Sequence, residues 1–223
     1  MKIGTDGVLL GAWLEVDNEP NRILDIGTGT GLIALMSAQR FPNTLIDAIE
    51  IDINAHKQCS ENFSQSPWSD RLHSIHGSFQ DFYLATNFKY DLIVSNPPFF
   101  ANGQQSINKK RNQARFENAL PFDILLKGSS LLLSENGIFA LIIPKDQEKQ
   151  ILILAELYNL SPSKITYVKG NINAPIKRCL IELRSKNILK KETQKSSELI
   201  LEKERHVYTD EFMAMARDFY LNM

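Results

Sequence analysis

Three glycines spaced by two, at positions 27, 29 and 31, constrain this chain more than any other feature. They follow directly on Ile23-Leu24-Asp25-Ile26, a short apolar run of strand-forming residues, and lead into Leu32-Ile33-Ala34-Leu35-Met36-Ser37-Ala38. In that second run Leu32, Leu35, Ala38 and Phe41 recur at helical spacing, which predicts a helix with one apolar face. A strand that turns through glycine into a helix is the ligand-binding end of a βα unit. Glycine lets the backbone approach a ligand closely, and the helix N-terminus adds positive potential. The dinucleotide fingerprint G-x-G-x-x-G is excluded, because Leu stands at position 32, where its third glycine would fall. An acid that accepts from ribose hydroxyls belongs at the end of the next strand, about 20 residues on. Residues 44–52 form that strand, and Glu50 stands 19 residues past Gly31. Asp52 competes for the role but also suits the N-cap of a helix over 54–63, so Glu50 is preferred.

A second stretch carries the chemistry. Tyr90-Asp91-Leu92-Ile93-Val94-Ser95 reads as a buried strand, and Asn96-Pro97-Pro98-Phe99 follows it. The Asn96 side-chain oxygen and the Pro97 carbonyl are two acceptors for the N–H groups of an exocyclic amine. Consecutive prolines hold the backbone, so these acceptors are aimed before substrate arrives. Phe99 offers a ring face to a flat base, an interaction worth about 1–3 kcal/mol. Taken without the glycine loop, the same tetrapeptide is simply a proline-rich strand end that turns the chain.

Strand-like and helix-like segments alternate, as expected of a doubly wound parallel sheet. Strands are predicted at 22–27, 44–50, 71–76, 90–95, 137–143, 164–169 and 177–184, and helices at 31–40, 53–63, 121–133 and 146–158. Thr5-Asp6-Gly7 should open a first helix over 8–14, with Thr5 or Asp6 as its cap. The polar stretch 185–197 reads as a loop and 198–201 as a short strand. Thr209 should cap a last helix with Phe212, Met215, Ala216 and Phe219 on one face. At 223 residues the chain is expected to be one domain spanning 1–223. A net charge of −1 excludes a uniformly basic coat, so a polyanionic partner must be met by a local patch. Cys59 and Cys179 suggest neither a disulfide framework nor a thiolate metal site, and the four histidines show no zinc-ligand spacing. His73 and His76 should flank a strand as surface or packing residues. No apolar run is long enough to span a membrane, and Asp6 and Glu15 interrupt any signal-peptide pattern at the start. A reducing cytoplasm is the expected compartment.

The D-x-G-x-G-x-G pattern at 25–31 resembles the S-adenosylmethionine loop of Rossmann-like methyltransferases. With Lys2-Ile3-Gly4-Thr5-Asp6-Gly7-Val8-Leu9-Leu10-Gly11-Ala12-Trp13, Gln65-Ser66-Pro67-Trp68 and SNPPFF at 95–100, the chain is similar over essentially its whole length to the bacterial tRNA1(Val) adenine-N6 methyltransferase family. Arg111, Ala114-Arg115 and the helix after Tyr208-Thr209 add to the likeness. The glycine loop and NPPF are shared by many amino-group methyltransferases, and the K-x-G-T-D-G-x-L-L-G-A-W opening is the narrower signal.

The resemblance implies a class I methyltransferase fold: seven strands, mostly parallel with one antiparallel, and helices on both faces. It implies S-adenosylmethionine as cofactor, S-adenosylhomocysteine as product, a tRNA substrate, and neither metal nor membrane; a monomer is expected. Asn96, Pro97, Pro98 and Phe99 become the catalytic residues. Thr5, Asp6, Asp25, Gly27, Thr28, Gly29, Gly31, Glu50, Ser78 and Phe79 become the cofactor-binding residues, with Asp25 toward the cationic amino group of the methionine moiety. Where the family commonly has an acid for the cofactor's adenine amine, this chain has Ser78, with Asp81 as a substitute. Lys109, Lys110, Arg111 and Arg115 are placed to grip phosphates, with Lys177, Arg178, Lys186, Lys190 and Lys191 as a second basic group. The family usually has a further stretch upstream of position 1 that is absent here.

Release-factor glutamine methyltransferases share the Asn-Pro-Pro-aromatic site. They usually carry a helical domain ahead of the glycine loop, where this chain has 24 residues. Ribosomal guanine and DNA adenine methyltransferases are further alternatives of the same chemistry. A protein that binds cofactor or RNA without transferring a methyl is the alternative of a different class.

Overall fold

The computed structural model describes residues 4–98, 120–188 and 194–220. The chain opens with α1 (Thr5–Trp13) and continues through β1 (Arg22–Ile26), α2 (Leu32–Arg40), β2 (Leu45–Glu50), α3 (Ile53–Ser64), β3 (Leu72–His76), α4 (Phe79–Ala85) and β4 (Tyr90–Ser95). After it come α5 (Phe122–Leu132), β5 (Leu133–Pro144), α6 (Glu148–Leu157), β6 (Leu160–Asn171) and β7 (Ile176–Ser185), then β8 (Lys195–Glu204), β9 (Val207–Tyr208) and α7 (Asp210–Ala216).

Among the described residues nine strands form one sheet, in the order β3-β2-β1-β4-β5-β7-β6-β8-β9. The first five run parallel, as do β6 and β8, whereas β7 is antiparallel to β5 and β6, and β9 to β8. The expected seven strands are all present. Two more extend the sheet, so it holds two antiparallel strands rather than one. The order reverses between β1 and β4, which leaves a crevice at their carboxyl ends.

Both faces are covered, so the central strands are apolar throughout rather than alternating. On one face Ile23, Ile46, Leu92 and Leu180 pack with α1, α2, α3 and α7. On the other, Leu24, Ile93, Phe139 and Ile181 pack with α4, α5 and α6. Residues of α2 are buried at Ile33, Ala34, Met36, Ser37 and Ala38, with Leu32 and Leu35 only partly covered. The predicted face was therefore rotated, because α2 is sandwiched between the sheet and α1. A Cβ on Gly11 of α1 would stand 2.7 Å from Met36 Sδ, so a larger residue there requires the Met36 side chain to move.

Several other local expectations change. The first helix starts at Thr5, with Gly4 at its N-cap and no side-chain cap, so neither Thr5 nor Asp6 caps it. Helix α4 was not expected; Ser78 caps it, and Phe79 and Tyr83, one turn apart, bury against Gly128 of α5. Residues 195–197 belong to β8 rather than to a loop, because the outer edge of β6 offers them a ladder. His73 and His76 lie within β3, not beside it. Thr209 does cap the last helix, accepting from Phe212 N at 3.2 Å, and Phe212 and Ala216 are buried as expected. No helix among the described residues is long and apolar enough to cross a membrane.

Two arginines satisfy carbonyls that helix ends leave free. Arg40 donates to Gly11 O at 2.7 Å, to Ala12 O at 3.2 Å and to Leu14 O, closing the end of α1. Arg71 does the same for α2, donating to Ala38 O and Phe41 O, each at 2.9 Å. Arg40→Ala is expected to cost about 3 kcal/mol, since it strands carbonyls in a part-buried setting. Urea unfolding checks this, and a loss below the error of extrapolation would contradict it.

Candidate active site

The glycine loop, the end of β2, the first turn of α1 and the segment after β4 all meet at the reversal of strand order. Gly27, Gly29 and Gly31 have φ of 69°, 61° and 86°, a run of left-handed residues that only glycine adopts without strain. The turn is anchored by Gly27 N and Thr28 N donating to Ile49 O at 2.9 and 3.1 Å, and Asn62 Nδ2 donates to Thr30 O at 2.8 Å. Asn62 went unnoticed in the sequence. It shares a helical face with Cys59 and Phe63, a spacing that could have revealed it.

Gly31 is constrained twice. A Cβ there would stand 2.5 Å from Phe63 Cε1 and 3.0 Å from Cys59 Sγ, whereas one on Gly27 would meet nothing. Gly31→Ala should therefore lose about 2–4 kcal/mol from strain plus overpacking, and Gly27→Ala only about 1–2 from strain. Comparing the two unfolding free energies tests the assignment; equal losses would contradict it.

Asp25 is 1% exposed. Its Oδ2 accepts from Thr28 Oγ1 at 2.6 Å and from Ala34 N at 3.2 Å, while its Oδ1 is buried with no partner. Burial pushes this carboxyl up to about 7, with the Thr28 and Ala34 bonds opposing the shift and the Glu50 charge adding to it. The folded protein thus holds this proton more firmly than the unfolded chain. The stabilisation is complete below the ordinary value of 3.8 and disappears as pH rises through about 7. Asp25→Asn should accordingly gain stability relative to the parent between pH 4 and 8, read as a difference in thermal midpoint. A pH-independent difference would sink the assignment.

Glu50 is part of the same construction. Its Oε2 accepts from Gly29 N and its Oε1 from Asp52 N, each at 2.8 Å, leaving further acceptor capacity on both oxygens. Asp52 is occupied as the N-cap of α3, accepting from Asn54 N at 3.0 Å and Ala55 N at 2.8 Å. Beyond β3, Gly77 N donates to Glu50 O at 3.0 Å, which sets Ser78 beside this strand end. Ser78 and Asp81 are bonded to one another: Ser78 Oγ donates to Asp81 Oδ2 at 2.7 Å and accepts from Asp81 N at 3.0 Å. The Phe79 side chain is buried in the contact between α4 and α5.

Across the crevice, Ser95 Oγ donates to Ile26 O at 2.9 Å and fastens the end of β4 to the end of β1. Asn96 follows, half-buried, then Pro97 buried and Pro98 exposed. The Cβ position of Gly7 lies 3.8 Å from Asn96 Nδ2 and 3.1 Å from Leu32 Cδ2, so α1, α2 and Asn96 converge there. Asp6 Oδ2 accepts from Arg178 Nε at 2.9 Å, a pairing across 172 positions of sequence. Phe99, Lys109, Lys110, Arg111 and Arg115 lie outside the described residues, as do Lys190 and Lys191.

Cys59 and Cys179 are both pushed up to about 12, chiefly by burial, so neither is a thiolate nucleophile near neutral pH. Among the described residues no group of three His, Cys, Asp or Glu side chains is placed to hold a metal.

A glycine loop braced by acids at the reversal of a doubly wound sheet, facing Asn-Pro-Pro, defines a Rossmann-like methyltransferase. The family model described as Methyltransferase small domain matches residues 4–120. Solved structures agree on the fold. A protein from Agrobacterium tumefaciens described as a predicted O-methyltransferase superposes with a TM-score of 0.71 at 16% identity, covering 96% of each chain. The CcbJ methyltransferase from Streptomyces caelestis gives 0.56 at 11% identity, covering 81% of this chain and 94% of its own. Curated relatives are nearer in sequence. The tRNA1(Val) (adenine(37)-N6)-methyltransferase of Christiangramia forsetii is 53% identical, covering 100% of this chain and 92% of its own length. Its namesake in Flavobacterium psychrophilum is 48% identical over 100% of this chain and 94% of its own. The chain belongs to the tRNA1(Val) (adenine(37)-N6)-methyltransferase family.

Proposed function

We propose that this enzyme methylates the exocyclic amine of the adenine beside the anticodon of a valine tRNA, using S-adenosylmethionine. The observation that carries the reading is the convergence of Asn96-Pro97 with a glycine loop whose acid, Asp25, keeps one buried oxygen unpartnered. The relatives' names supply the substrate.

The cofactor's residues fit the group. The unpartnered Asp25 Oδ1 suits a cationic amino group, and the open acceptor sites of Glu50 suit ribose hydroxyls. The backbone of Gly27, Thr28, Gly29 and Gly31 lines the cradle. Ser78 and Phe79, or Asp81 in place of Ser78, border the adenine, and Thr5 and Asp6 border the methionine end. When bound, S-adenosylmethionine supplies a methyl group that is electrophilic by virtue of its sulfonium.

The chain's own residues then act on the acceptor. Asn96 Oδ1 and the Pro97 carbonyl accept from the adenine amine and favour its pyramidal form, freeing a lone pair otherwise delocalised into the ring. Pro98 stiffens the segment and Phe99 fixes the ring plane, so that the amine is oriented for in-line attack. These acceptors bind more tightly as positive charge develops on nitrogen, which makes them transition-state contacts. The released proton passes to solvent or to the same acceptors. The base must leave its stack to reach the site. Lys109, Lys110, Arg111 and Arg115 are assigned from the sequence to grip phosphates of the tRNA. The one continuous sheet supports reading 1–223 as a single domain, and a tRNA substrate supports a cytoplasmic setting.

Asn96→Ala should lower kcat by about 100-fold or more, with cofactor affinity largely retained. Radiolabelled methyl transfer to valine tRNA, alongside calorimetric cofactor binding, tests this. An unaffected rate would overturn the assignment of the acceptor site.

A further inference from the structure

Because β7 runs antiparallel, its first residues lie at the same edge of the sheet as the carboxyl ends of β1 and β4. The loop closing β6 onto β7 is therefore on the active-site edge, along with Asn96. With about 5 Å between neighbouring strands, β7 lies about 10 Å from β4 and β6 about 15 Å. The cofactor cradle occupies the other direction, over β1 and β2. A macromolecule presenting one base to Asn96 must therefore extend over β5, β7 and β6.

The chemistry of that loop suits a polyanion. Residues 169–178, Lys-Gly-Asn-Ile-Asn-Ala-Pro-Ile-Lys-Arg, contain three cations and no acid, in a chain whose net charge is −1. The loop is braced by Asn173 N donating to Asn171 Oδ1 and Ala174 N donating to Asn171 O, each at 3.0 Å. Ile172, Asn173, Pro175 and Lys177 are exposed. Lys169 and Arg178 are engaged with Glu198 and Asp6. The Lys177 ammonium has no hydrogen bond or ion pair among the described residues. Lys177 and Arg178 point to opposite faces of β7, as neighbours in a strand must. Arg178 thus fastens the loop's base to the first turn of α1, the turn that meets Asn96, while Lys177 has no such partner among the described residues. Lys186, grouped with these two by sequence, lies at the far end of β7, about 30 Å away, and pairs with Glu156.

We propose that the β6–β7 loop, through Lys177, docks the sugar-phosphate backbone of the tRNA substrate while the target base occupies the site at Asn96. The inference rests on the reading of the substrate given above. It assigns the contact to phosphate, which positions the substrate without reading its sequence.

The test compares wild type, Lys177→Glu and Lys186→Glu in methyl transfer to valine tRNA, and wild type with Lys177→Ala in tRNA binding at several salt concentrations. Lys177→Glu should raise KM for tRNA roughly tenfold with kcat and cofactor affinity near wild type, and Lys177→Ala should reduce the salt slope by about one. Lys186→Glu should leave KM unchanged. Wild-type KM in Lys177→Glu with an unchanged slope in Lys177→Ala overturns the docking assignment while wild-type turnover keeps the substrate. Absence of wild-type transfer to tRNA overturns the substrate and, with it, the docking. Lys177 is exposed, and cofactor affinity in the same preparations reports whether each variant is folded.

Discussion

Three left-handed residues in one short turn cannot persist on glycine's freedom alone; they must be held. Here the holding groups are the same acids proposed above to hold the cofactor. Gly29 N is bound by Glu50, Thr28 Oγ1 and Ala34 N by Asp25, and Gly27 and Thr28 by the carbonyl of Ile49. Each carboxylate braces the loop with part of its acceptor capacity: Glu50 keeps open acceptor sites, and Asp25 Oδ1 is buried without a partner. Asp25 is the more demanding of the two, since a buried carboxyl with an unpartnered oxygen is costly until a cation or a proton satisfies it. The folded protein meets that cost by holding the proton to about pH 7.

The acceptor half of the site depends on the cofactor half. Ser95 ties the end of β4 to the carbonyl of Ile26, the residue immediately ahead of the glycines. Gly7 lets α1 approach Leu32 and Asn96 together. The C-terminal strands also contribute at a distance. Trp13 Nε1 donates to Thr166 Oγ1 at 2.9 Å, and that hydroxyl is bonded to Ser197 at 2.8 Å, so β6 and β8 hold the end of α1. Phe212 and Ala216 of α7 bury against the same helix. The C-terminal segment thereby braces the helix whose first turn meets Asn96.

The glycine turn and the placement of Asp25, Glu50 and Asn96-Pro97-Pro98 at strand ends were legible because local spacing sets them: a strand, a turn and a helix start in consecutive residues. The helix-capping roles of Asp52 and Thr209 were legible for the same reason. What stayed hidden depends on contacts remote in sequence. The burial of α2 on two sides rotated its apolar face, and the polar start of β8 became a strand only because β6 had an unpaired edge. The partnership of Asp6 with Arg178 has no local signal. Helix α4 was missed although Phe79 and Tyr83 stand one turn apart, because a segment of seven residues shows too little periodicity to distinguish it from a loop.

The central claim is that this site delivers a methyl group to the amine of one adenine. Mass spectrometry of valine tRNA after incubation with the enzyme and isotopically labelled S-adenosylmethionine tests it most directly. Label is expected in N6-methyladenosine at the position beside the anticodon and nowhere else in the tRNA. Label on guanine, on another adenine, or only on the glutamine of a release-factor fragment supplied in the same reaction would contradict it.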